Sequence, residues 1–468
     1  MASATVVGGS IAGLATALAL SGVGYEVRVP ERSAPPPDGP LDQAVRDWHR
    51  PTVSQAIHSH TLTSAGVRAL RHRAPQLLTT ALEAGAELLD LIEALPPLVE
   101  DRAREVGDDD LVALACRRSV LELLLYRTVR NLRFDHATVV RGPALDSFGE
   151  RARGVHTTGG EVLPASVVID ATGRRAESRD WLTAAGSPVA EDLVQPSAVT
   201  GYSRQYRLRG TGRAKPLNRG NAAGGVWDHY AAALHPADNH TFAVAVMVPP
   251  GDRATARLRE PGAFTAAARA TPGIGAWLAP GVSDLLTPVN VIACPPNTLR
   301  GTVTTRQRPV AGLFAVADAA CVTNPLYGRG ISLALDHVCR LADLLAGAAS
   351  DQALVQASRP GRSSRLGRTR SEPLSGRRRP VATGRRCRRR SSAATGRVPR
   401  VRAATLTDGL VWRSATRVIT GLCTPATAFG DEKFRARVEQ APPTDPALLP
   451  AVPSRDEFLH LIAAAEGA

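Results

Sequence analysis

Several residue types are scarce in this chain of 468 residues. Only Lys215 and Lys433 are lysines, against 55 arginines, and aromatic residues make up 4% of the sequence. The six cysteines include no C-x-x-C pair, so neither a zinc cluster nor a disulfide framework is indicated, and a reducing, cytoplasmic compartment is favoured. No apolar run reaches the roughly 18 residues that a membrane helix needs. The apolar N-terminus has no positive charge before it, so we interpret it as part of the fold rather than as a secretory signal.

The positive charge is concentrated in one segment. The formal net charge is +14, yet residues 357–402 alone hold sixteen arginines and one acid, Glu372, and the remaining chain is nearly neutral. The composition leaves three interpretations open: an arm that binds nucleic acid or an anionic membrane, a solvated tether, or the product of a compensated frameshift in a GC-rich gene. No aromatic residue in the segment can stack on bases, which argues against nucleic acid.

The length and composition predict a soluble globular protein of two or three domains, with 44% hydrophobic and 21% charged residues. The chain begins with a strand, a glycine-rich turn, a helix and a second strand. Residues 4–9 and 25–29 have the small and β-branched side chains of buried strands, and residues 14–21 between them favour a helix. This order is typical of the first unit of a dinucleotide-binding domain.

The turn of this unit fits the pattern G-x-G-x-x-G, with Gly8 and Gly13 in place and Ser10 at the second glycine. That glycine lets the backbone approach a pyrophosphate, and serine is the smallest polar substitute. Glu31 follows Gly13 by eighteen positions, where an acid can accept both ribose hydroxyls of an adenosine. The amides and the dipole at the helix N-terminus would bind the pyrophosphate. These residues predict dinucleotide binding but do not choose between NAD and FAD.

Two later segments carry further signals. Residues 166–174 predict a buried strand that ends in Ala-Thr-Gly. Residues 313–316 predict another strand, and the carboxylate of Asp318 just past its end could bind a ribitol hydroxyl. Residues 325–330 are rich in glycine and proline, so their backbone, with few side chains in the way, can approach a planar ring system closely. A long helix begins there, and its positive end would face the flavin edge that becomes negative on reduction.

With these segments in this order, the chain resembles the class A flavin monooxygenases, the p-hydroxybenzoate hydroxylase-like FAD-dependent oxidoreductases, over roughly residues 4–350. The resemblance implies an α/β fold with a Rossmann-like FAD-binding domain of the glutathione-reductase type and an inserted mixed β-sheet substrate domain. We therefore expect an FAD-binding domain (1–181 and 285–347), a substrate domain (182–284), the arginine-rich segment (357–402) and a mostly helical C-terminal segment (403–468).

The resemblance also implies the chemistry. FAD would be the cofactor, NAD(P)H the reductant and O2 the co-substrate, and a flavin C4a-hydroperoxide would hydroxylate a small aromatic or hydrophobic substrate. Arg118 resembles the arginine that lies near the cofactor in this family, and His58 and His60 resemble a stretch beside the flavin. We name no catalytic residue and no metal ligand. The predicted cofactor-binding residues are Gly8, Ser10, Gly13, Glu31, Arg32, Arg118, Asp318, Pro325, Gly328 and Gly330.

Several positions depart from the family pattern. Ala317 replaces the glycine that usually precedes the aspartate, and Ser332 stands where many hydroxylases have asparagine. Residues 170–173 lack the Asp-Gly-x-x-Ser-x-x-Arg character that hydroxylases use for FAD and NADPH, so FAD binding is better supported than nicotinamide-driven hydroxylation. A dehydrogenase or reductase without oxygen insertion stays open, as does a flavin-fold scaffold with a basic nucleic-acid arm. The five tryptophans are isolated, which disfavours the W-x-W-x-I-P segment of flavin halogenases.

The middle of the chain predicts the substrate domain. Residues 202–209, 227–234 and 241–248 predict strands, and residues 262–278 predict two short helices. Aromatic side chains on the strands either line a pocket for a planar substrate or form the core of the sheet, and the core is favoured for each of them. The sequence indicates neither the substrate nor the oligomeric state. These aromatic residues are Tyr202, Tyr206, Trp227, Tyr230 and Phe242.

Overall fold

The computed structural model describes residues 2–53, 55–58, 60–197, 199–210, 217–292, 294–304, 310–347, 397–442 and 451–465. Most of the arginine-rich segment, residues 357–396, lies outside the described residues, so its three interpretations stay predictions. Its last residues belong to a helix that begins at Arg397. None of the helices in the described ranges combines the length and the hydropathy of a membrane span.

The described chain contains β-strands that are grouped into two main sheets and three small ones. In chain order they are β1 Ser3–Val7, β2 Glu26–Glu31, β3 Glu87–Asp90, β4 Val112–Ala115, β5 Arg133–His136, β6 Val140–Leu145, β7 Ala152–Thr157, β8 Val162–Pro164, β9 Val167–Asp170, β10 Leu193–Gln195, β11 Thr200–Leu208, β12 Ala223–Val226, β13 Ala231–Pro236, β14 Thr241–Val248, β15 Ser283–Leu285, β16 Asn290–Ile292, β17 Asn297–Leu299, β18 Leu313–Ala315 and β19 Cys321–Val322.

The α-helices of the described chain pack around these sheets. In chain order they are α1 Ile11–Gly22, α2 Leu41–Asp47, α3 Ser64–Arg73, α4 Pro75–Glu83, α5 Arg118–Val129, α6 Ser178–Ala184, α7 Pro261–Arg269, α8 Gly301–Thr304, α9 Gly330–Ala346, α10 Arg397–Ala404, α11 Gly409–Ile419, α12 Pro425–Gly430, α13 Glu432–Gln440 and α14 Arg455–Ala464.

A five-stranded parallel sheet with the order β18-β9-β1-β2-β5 forms the centre of the predicted FAD-binding domain. Its inner strands consist of small and β-branched residues such as Val6 and Ile169, which are fully buried, as expected where helices cover both faces of a parallel sheet. Helix α9 packs against α1 and α3. The strands β1, β2, β9 and β18 end at the same edge of the sheet, and the predicted motifs begin at these ends.

The second sheet has the order β12-β13-β14-β11-β15, with β16 also paired to β11. All of its described pairings are antiparallel rather than mixed, because neighbouring strands such as β12, β13 and β14 follow one another through short turns. The predicted strand 227–234 is wrong in its first half. Residues 227–230 form a tight turn in which the amide of Trp227 donates to the carbonyl of Tyr230 at 2.9 Å.

The aromatic residues of the second sheet form its core rather than a substrate pocket. Phe242 stacks on Tyr206 with ring centroids 5.2 Å apart and meets the edge of Trp277 at 5.3 Å. Tyr230 stacks on Phe458 of α14 at 4.6 Å. These contacts bury one face of the sheet under α7 and α14, so the other face is available to border a cavity.

Helix α11 and the loop after it pack against the N-terminal part of the chain. Trp412 joins an apolar cluster with β3 and β4. Arg413 is 1% exposed, and its Nε lies 3.0 Å from a carboxylate oxygen of the equally buried Asp108. The carbonyl of Thr420 accepts a hydrogen bond from the hydroxyl of Thr63 at 2.9 Å, just before α3. The C-terminal helices therefore contribute to the packing around α3 and β4.

Candidate cofactor and substrate site

The turn between β1 and α1 is shaped by two glycines. Gly8 has a φ of +106°, and an added Cβ would lie 2.9 Å from the carbonyl oxygen of Ala171. A Cβ on Gly13 would lie 1.7 Å from the carbonyl oxygen of Gly8, so only glycine lets α1 start this close to β1. Ser10 precedes α1, and its hydroxyl accepts a hydrogen bond from Arg118 at 3.2 Å instead of capping the helix. The first-turn amides of α1 are thus not capped by Ser10 and suit an anion.

Glu31 lies at the carboxyl end of β2 and is 7% exposed. Its carboxylate accepts hydrogen bonds from the backbone amides of Gly9 and Ser33, the latter at 2.8 Å. With Arg32 and Thr138 it borders an outer cavity of about 690 Å³ of empty space, part of it open to solvent. A carboxylate has about four acceptor positions, so two remain for the hydroxyl groups of a ligand.

Two arginines flank a buried glutamate where the outer cavity meets a larger inner one. Glu122 is 2% exposed, with one oxygen 2.9 Å from the Arg50 guanidinium and the other 3.4 Å from Nε of Arg118. Arg50 lines the outer cavity, Arg118 lines the inner cavity, and Ser10 lines both. Two cations against one carboxylate leave an excess positive charge beside the N-terminus of α1. This arrangement favours an anion such as a pyrophosphate.

The inner cavity encloses about 1480 Å³ of empty space, part of it open to solvent. Asp318 lies at its wall just past β18, and the loop before α9 contributes Pro325, Gly328 and Gly330. Asn324 fixes this loop, because its side chain accepts from one backbone amide and donates to one carbonyl, each at 2.9 Å. The N-terminal end of the 17-residue helix α9 therefore borders the cavity.

Ala317 has a φ of +53°, in the left-handed region that favours glycine. The family pattern has glycine here, and the backbone keeps the conformation that glycine would adopt. The amide of Ala317 donates to Nδ1 of the buried His337 at 3.3 Å. An alanine in this conformation carries strain of about 1–2 kcal/mol. The surrounding contacts hold this strained turn directly before Asp318.

The structure brings most of the predicted cofactor residues together. Nine of the ten border the two joined cavities, and Gly13 supports the turn by packing against it. Their contacts with FAD stay a prediction. Gly8, Ser10, Glu31 and Arg32 line the outer cavity, and Ser10, Arg118, Asp318, Pro325, Gly328 and Gly330 line the inner one.

Sequence reasoning missed the charged residues that hold or border the junction. Arg50 and Glu122 come from a loop and from α5, and Arg174 borders the inner cavity after β9. None belongs to a motif of fixed spacing. Glu122 lies four residues after Arg118 on α5, whereas only the fold brings Arg50 and Arg174 to the same site.

The second sheet supplies an apolar wall of the inner cavity. Ala231 pairs with Met247, and Ala233 pairs with Ala245, on β13 and β14. Alternate residues of a strand point to one face, so these four side chains lie on the same face. All four line the cavity, together with Ile292 of β16. These five side chains are apolar, and His235 follows Ala231 and Ala233 on the same face of β13.

Three histidines line the same inner cavity. Nδ1 of His58 lies 2.9 Å from the hydroxyl of Ser203. Nδ1 of His60 lies 2.9 Å from the carbonyl oxygen of His58. Nδ1 of His235 lies 2.8 Å from the hydroxyl of Thr61. The three rings connect the loop before α3 with β11 and β13 of the second sheet.

Burial and positive neighbours keep all three imidazoles neutral. Burial is the main cause of the low pKa of each ring, and a nearby guanidinium adds to it. Among the residues that the structure describes, no three His, Cys, Asp or Glu side chains are grouped as metal ligands. The pKa falls to about 4 for His58 near Arg174, to about 3 for His60 near Arg118 and to about 4 for His235 near Arg219.

The fold is that of flavin-dependent monooxygenases and halogenases. PqsL, a probable FAD-dependent monooxygenase from Pseudomonas aeruginosa, superposes with a TM-score of 0.54 at 17% identity over 79% of this chain and 94% of PqsL. The flavin-dependent brominase Bmp2 has a TM-score of 0.57 at 14% identity, over 93% of this chain and 98% of Bmp2. The myxobacterial chondrochloren halogenase CndH has a TM-score of 0.55 at 15% identity, over 99% and 97% of the two chains. These similarities confirm the predicted fold class.

A sequence relative is protein Rv3254 of Mycobacterium tuberculosis, which is 30% identical over 224 residues. The match covers 44% of this chain and 45% of the relative, so this chain spans less than half of that protein's length. No family model matches the chain.

Proposed function

We propose that this protein is an FAD-dependent oxidoreductase, and that it acts as a monooxygenase on a small aromatic or hydrophobic substrate. The observation that carries the proposal is a pair of neighbouring cavities, both lined by Ser10 and Ala171, with the polar groups of an FAD site in the expected order. Glu31 borders the outer cavity, the uncapped start of α1 lies at the junction, and Asp318 borders the inner cavity. An adenosine, a pyrophosphate and a flavin require this sequence of partners.

The residues present fit FAD. The carboxylate of Glu31 would accept the ribose hydroxyls, Arg118 and the α1 amides would bind the pyrophosphate, and Asp318 would bind the ribityl chain. Gly8, Ser10 and Arg32 would complete the nucleotide side, and Pro325, Gly328 and Gly330 the flavin side, with Gly13 supporting the turn. When bound, FAD supplies the redox chemistry, with NAD(P)H as reductant and O2 as co-substrate.

The chain's own contribution is positioning and exclusion of water. The apolar wall of β13 and β14 would hold the body of the substrate against the start of α9. Arg174 and Arg219 also line the inner cavity, and their guanidinium groups give this part of the cavity a positive potential. An electron-rich or anionic substrate would be favoured there. We assign no catalytic acid or base.

The fold alone does not separate a monooxygenase from a halogenase, since both kinds of enzyme are among the similar structures. Our choice between a monooxygenase and a halogenase rests on the positions of the tryptophans. They stand at positions 48, 181, 227, 277 and 412, and none forms the W-x-W-x-I-P segment of flavin halogenases. Trp181 and Trp277 are also buried in apolar clusters. We therefore favour oxygen insertion over halogenation, with a dehydrogenase as the second candidate.

We also propose which parts of the chain form each domain. Residues 1–181 and 285–347 would form the FAD-binding domain and residues 182–284 the domain that covers the substrate, except that β16 at Asn290–Ile292 still pairs with β11 of the second sheet. The helices between residues 403 and 440 would stabilise the FAD-binding domain, and α14 would stabilise the substrate domain. A cytoplasmic location fits the scattered cysteines of the sequence, which include no C-x-x-C pair.

The first experiment is a visible spectrum of the purified full-length protein, before and after incubation with FAD and gel filtration. We expect a flavin spectrum at a stoichiometry near one. A folded protein that stays colourless would overturn the proposal. Consumption of NADH or NADPH then identifies the reductant.

Oxygen insertion is tested by turnover under 18O2 with mass spectrometry of the product. Label in the product supports the monooxygenase, whereas an oxidised product without label supports the dehydrogenase. A control reaction in H2 18O excludes exchange with solvent. The alternative of a basic arm that binds nucleic acid is tested separately. It predicts salt-sensitive binding that is lost on deletion of residues 357–402, and binding that survives the deletion would refute it.

A further inference from the structure

The hairpin that carries the apolar wall of the inner cavity has a rigid tip. Strands β13 and β14 are joined by a tight turn that begins at Asp238. The carbonyl of Asp238 accepts hydrogen bonds from the amide of Thr241 at 3.0 Å and from the Thr241 hydroxyl at 2.6 Å. Asn239 and His240 have φ values of +52° and +58°, the left-handed conformation of two-residue hairpin turns. The turn therefore holds the backbone of Asp238 in a defined position.

The side chain of Asp238 is fully buried against Arg117, the residue that precedes α5. Its Oδ1 accepts a hydrogen bond from the backbone amide of Arg117 at 2.6 Å. Its Oδ2 accepts from Nε of the Arg117 side chain at 2.9 Å and from a terminal nitrogen of the same guanidinium at 2.6 Å. Hydrogen bonds between two charged groups are the strong ones. A residue of the second sheet thus holds both the backbone and the side chain of Arg117.

The residue after Arg117 is Arg118, which borders the inner cavity. Arg118 is the first residue of α5 and is 8% exposed. It donates to the hydroxyl of Ser10 at 3.2 Å, and its Nε lies 3.4 Å from the Glu122 carboxylate. Because Arg117 and Arg118 are joined by one rigid peptide bond, a shift of the Arg117 backbone moves Arg118 relative to Ser10.

We propose that Asp238 is a positioning residue, which holds Arg118 in place for the pyrophosphate of FAD and so couples the substrate wall to the cofactor site. This inference rests on the proposed function, because the pyrophosphate belongs to the FAD assigned there. Asp238 acts through Arg117 rather than by touching a ligand. A shift of the hairpin changes the affinity for FAD, and by thermodynamic reciprocity bound FAD favours the docked hairpin.

Two neighbouring residues provide matched controls. Asp42 of α2 is half-exposed and lies 3.1 Å from the same guanidinium, so Asp42→Asn weakens an ion pair of Arg117 without changing the hairpin. Asn239→Gly removes the hydrogen bond of 3.0 Å from the Asn239 side chain to the carbonyl of Ala84 and permits the positive φ. It weakens the docking of the hairpin but leaves the three contacts of Asp238 with Arg117 in place.

The first test measures the affinity of the full-length variants for FAD by quenching of flavin fluorescence. We expect Asp238→Asn to raise the Kd at least about 5-fold, a usual coupling within one hydrogen-bonded network. Asp42→Asn and Asn239→Gly should stay within about twofold of wild type. If Asn239→Gly raises the Kd as much as Asp238→Asn does, the effect comes from docking alone and the positioning role is refuted.

A double-mutant cycle tests whether Asp238 acts through Arg118. In the background Arg118→Ala, the change Asp238→Asn should alter the Kd for FAD by less than about twofold, because the side chain that it positions is gone. Equal changes in the two backgrounds would mean that Asp238 affects FAD by another route. If Asp238→Asn does not fold, Arg117→Lys replaces it in the cycle, since lysine keeps the charge and loses the Nε contact.

Hydrogen exchange followed by mass spectrometry tests the proposal without FAD. Asp238→Asn should speed exchange in peptides from α5, because the start of this helix loses its anchor on the hairpin, whereas Asp42→Asn should leave them unchanged. Unchanged exchange of α5 in Asp238→Asn would overturn the inference whether or not FAD binds. A wild-type protein that binds no FAD would instead overturn the proposed function, so the two failures are distinguishable.

Discussion

Replacing Glu31 by glutamine tests the cofactor assignment at its most defined contact. The Glu31 carboxylate already accepts from the amides of Gly9 and Ser33 and has about two acceptor positions left. A glutamine keeps one oxygen and replaces the other by an NH2 group, which would face an amide or a ligand hydroxyl with a donor. Loss of one hydrogen bond to a charged group costs about 1.5–3 kcal/mol. The Kd for FAD should therefore rise about 10- to 150-fold.

The affinity is measured by quenching of flavin fluorescence on titration of apoprotein into FAD. Urea unfolding of the apoprotein is recorded alongside, and we expect a loss of about 1–3 kcal/mol because a buried amide loses its acceptor. Glu26→Gln is the matched control, since Glu26 is exposed at the start of the same strand. If Glu31→Gln binds FAD within twofold of wild type while Glu26→Gln behaves normally, the ribose assignment of Glu31 is refuted.

Three other changes follow from the geometry. Ala317→Gly should raise the free energy of unfolding by roughly 0.5–1 kcal/mol in urea titrations, because the positive φ strains alanine and the gain is partly offset by the flexibility of unfolded glycine; no gain would contradict the strain. Asp108→Ala should cost about 3–5 kcal/mol, because it leaves the buried guanidinium of Arg413 without its main partner. The same variant should become sensitive to limited proteolysis near α11, and unchanged resistance would show that the C-terminal helices pack without this ion pair. Stability should also fall as the pH drops below about 6.5, because the unfolded chain binds protons at His60 and His235 that the folded protein refuses until about pH 3 to 4. Each of these two histidines should contribute roughly 1–2 kcal/mol of this loss at pH 5, and the slope of stability against pH should flatten in the variant His60→Gln/His235→Gln.

The secondary structure around the cofactor site could be predicted because each element has a strong local signal. The run of small apolar residues after Gly8 predicts α1, and the structure begins that helix at Ile11, three residues earlier than the pattern indicates. The strand 241–248 coincides with β14. The prediction failed at residues 227–230, where Asp228 and His229 form a turn between two aromatic residues, and the rings of Trp227 and Tyr230 stack at 4.7 Å across it.

The site was predictable only where its residues belong to motifs. Glu31 and Asp318 each follow a strand at a fixed distance, so their position at the sheet edge follows from the order of elements. The cluster of Arg50, Glu122 and Arg118 is different. Arg118 and Glu122 lie four residues apart on α5, but Arg50 comes from a separate loop, and the charges matter because the buried Glu122 carboxylate lies within 3.4 Å of both guanidinium groups.

The sequence by itself determined the fold class and the location of a dinucleotide site, since glycine spacing, strand composition and helix periodicity act over short stretches of chain. The tertiary structure decided which side chains share a cavity and what charge state they have. His60 and His235 are separated by 175 positions, and only the packing of β13 against the loop before α3 brings both rings to one wall. Their neutrality depends on burial and on arginines from other elements, and neither quantity can be read from neighbours along the chain.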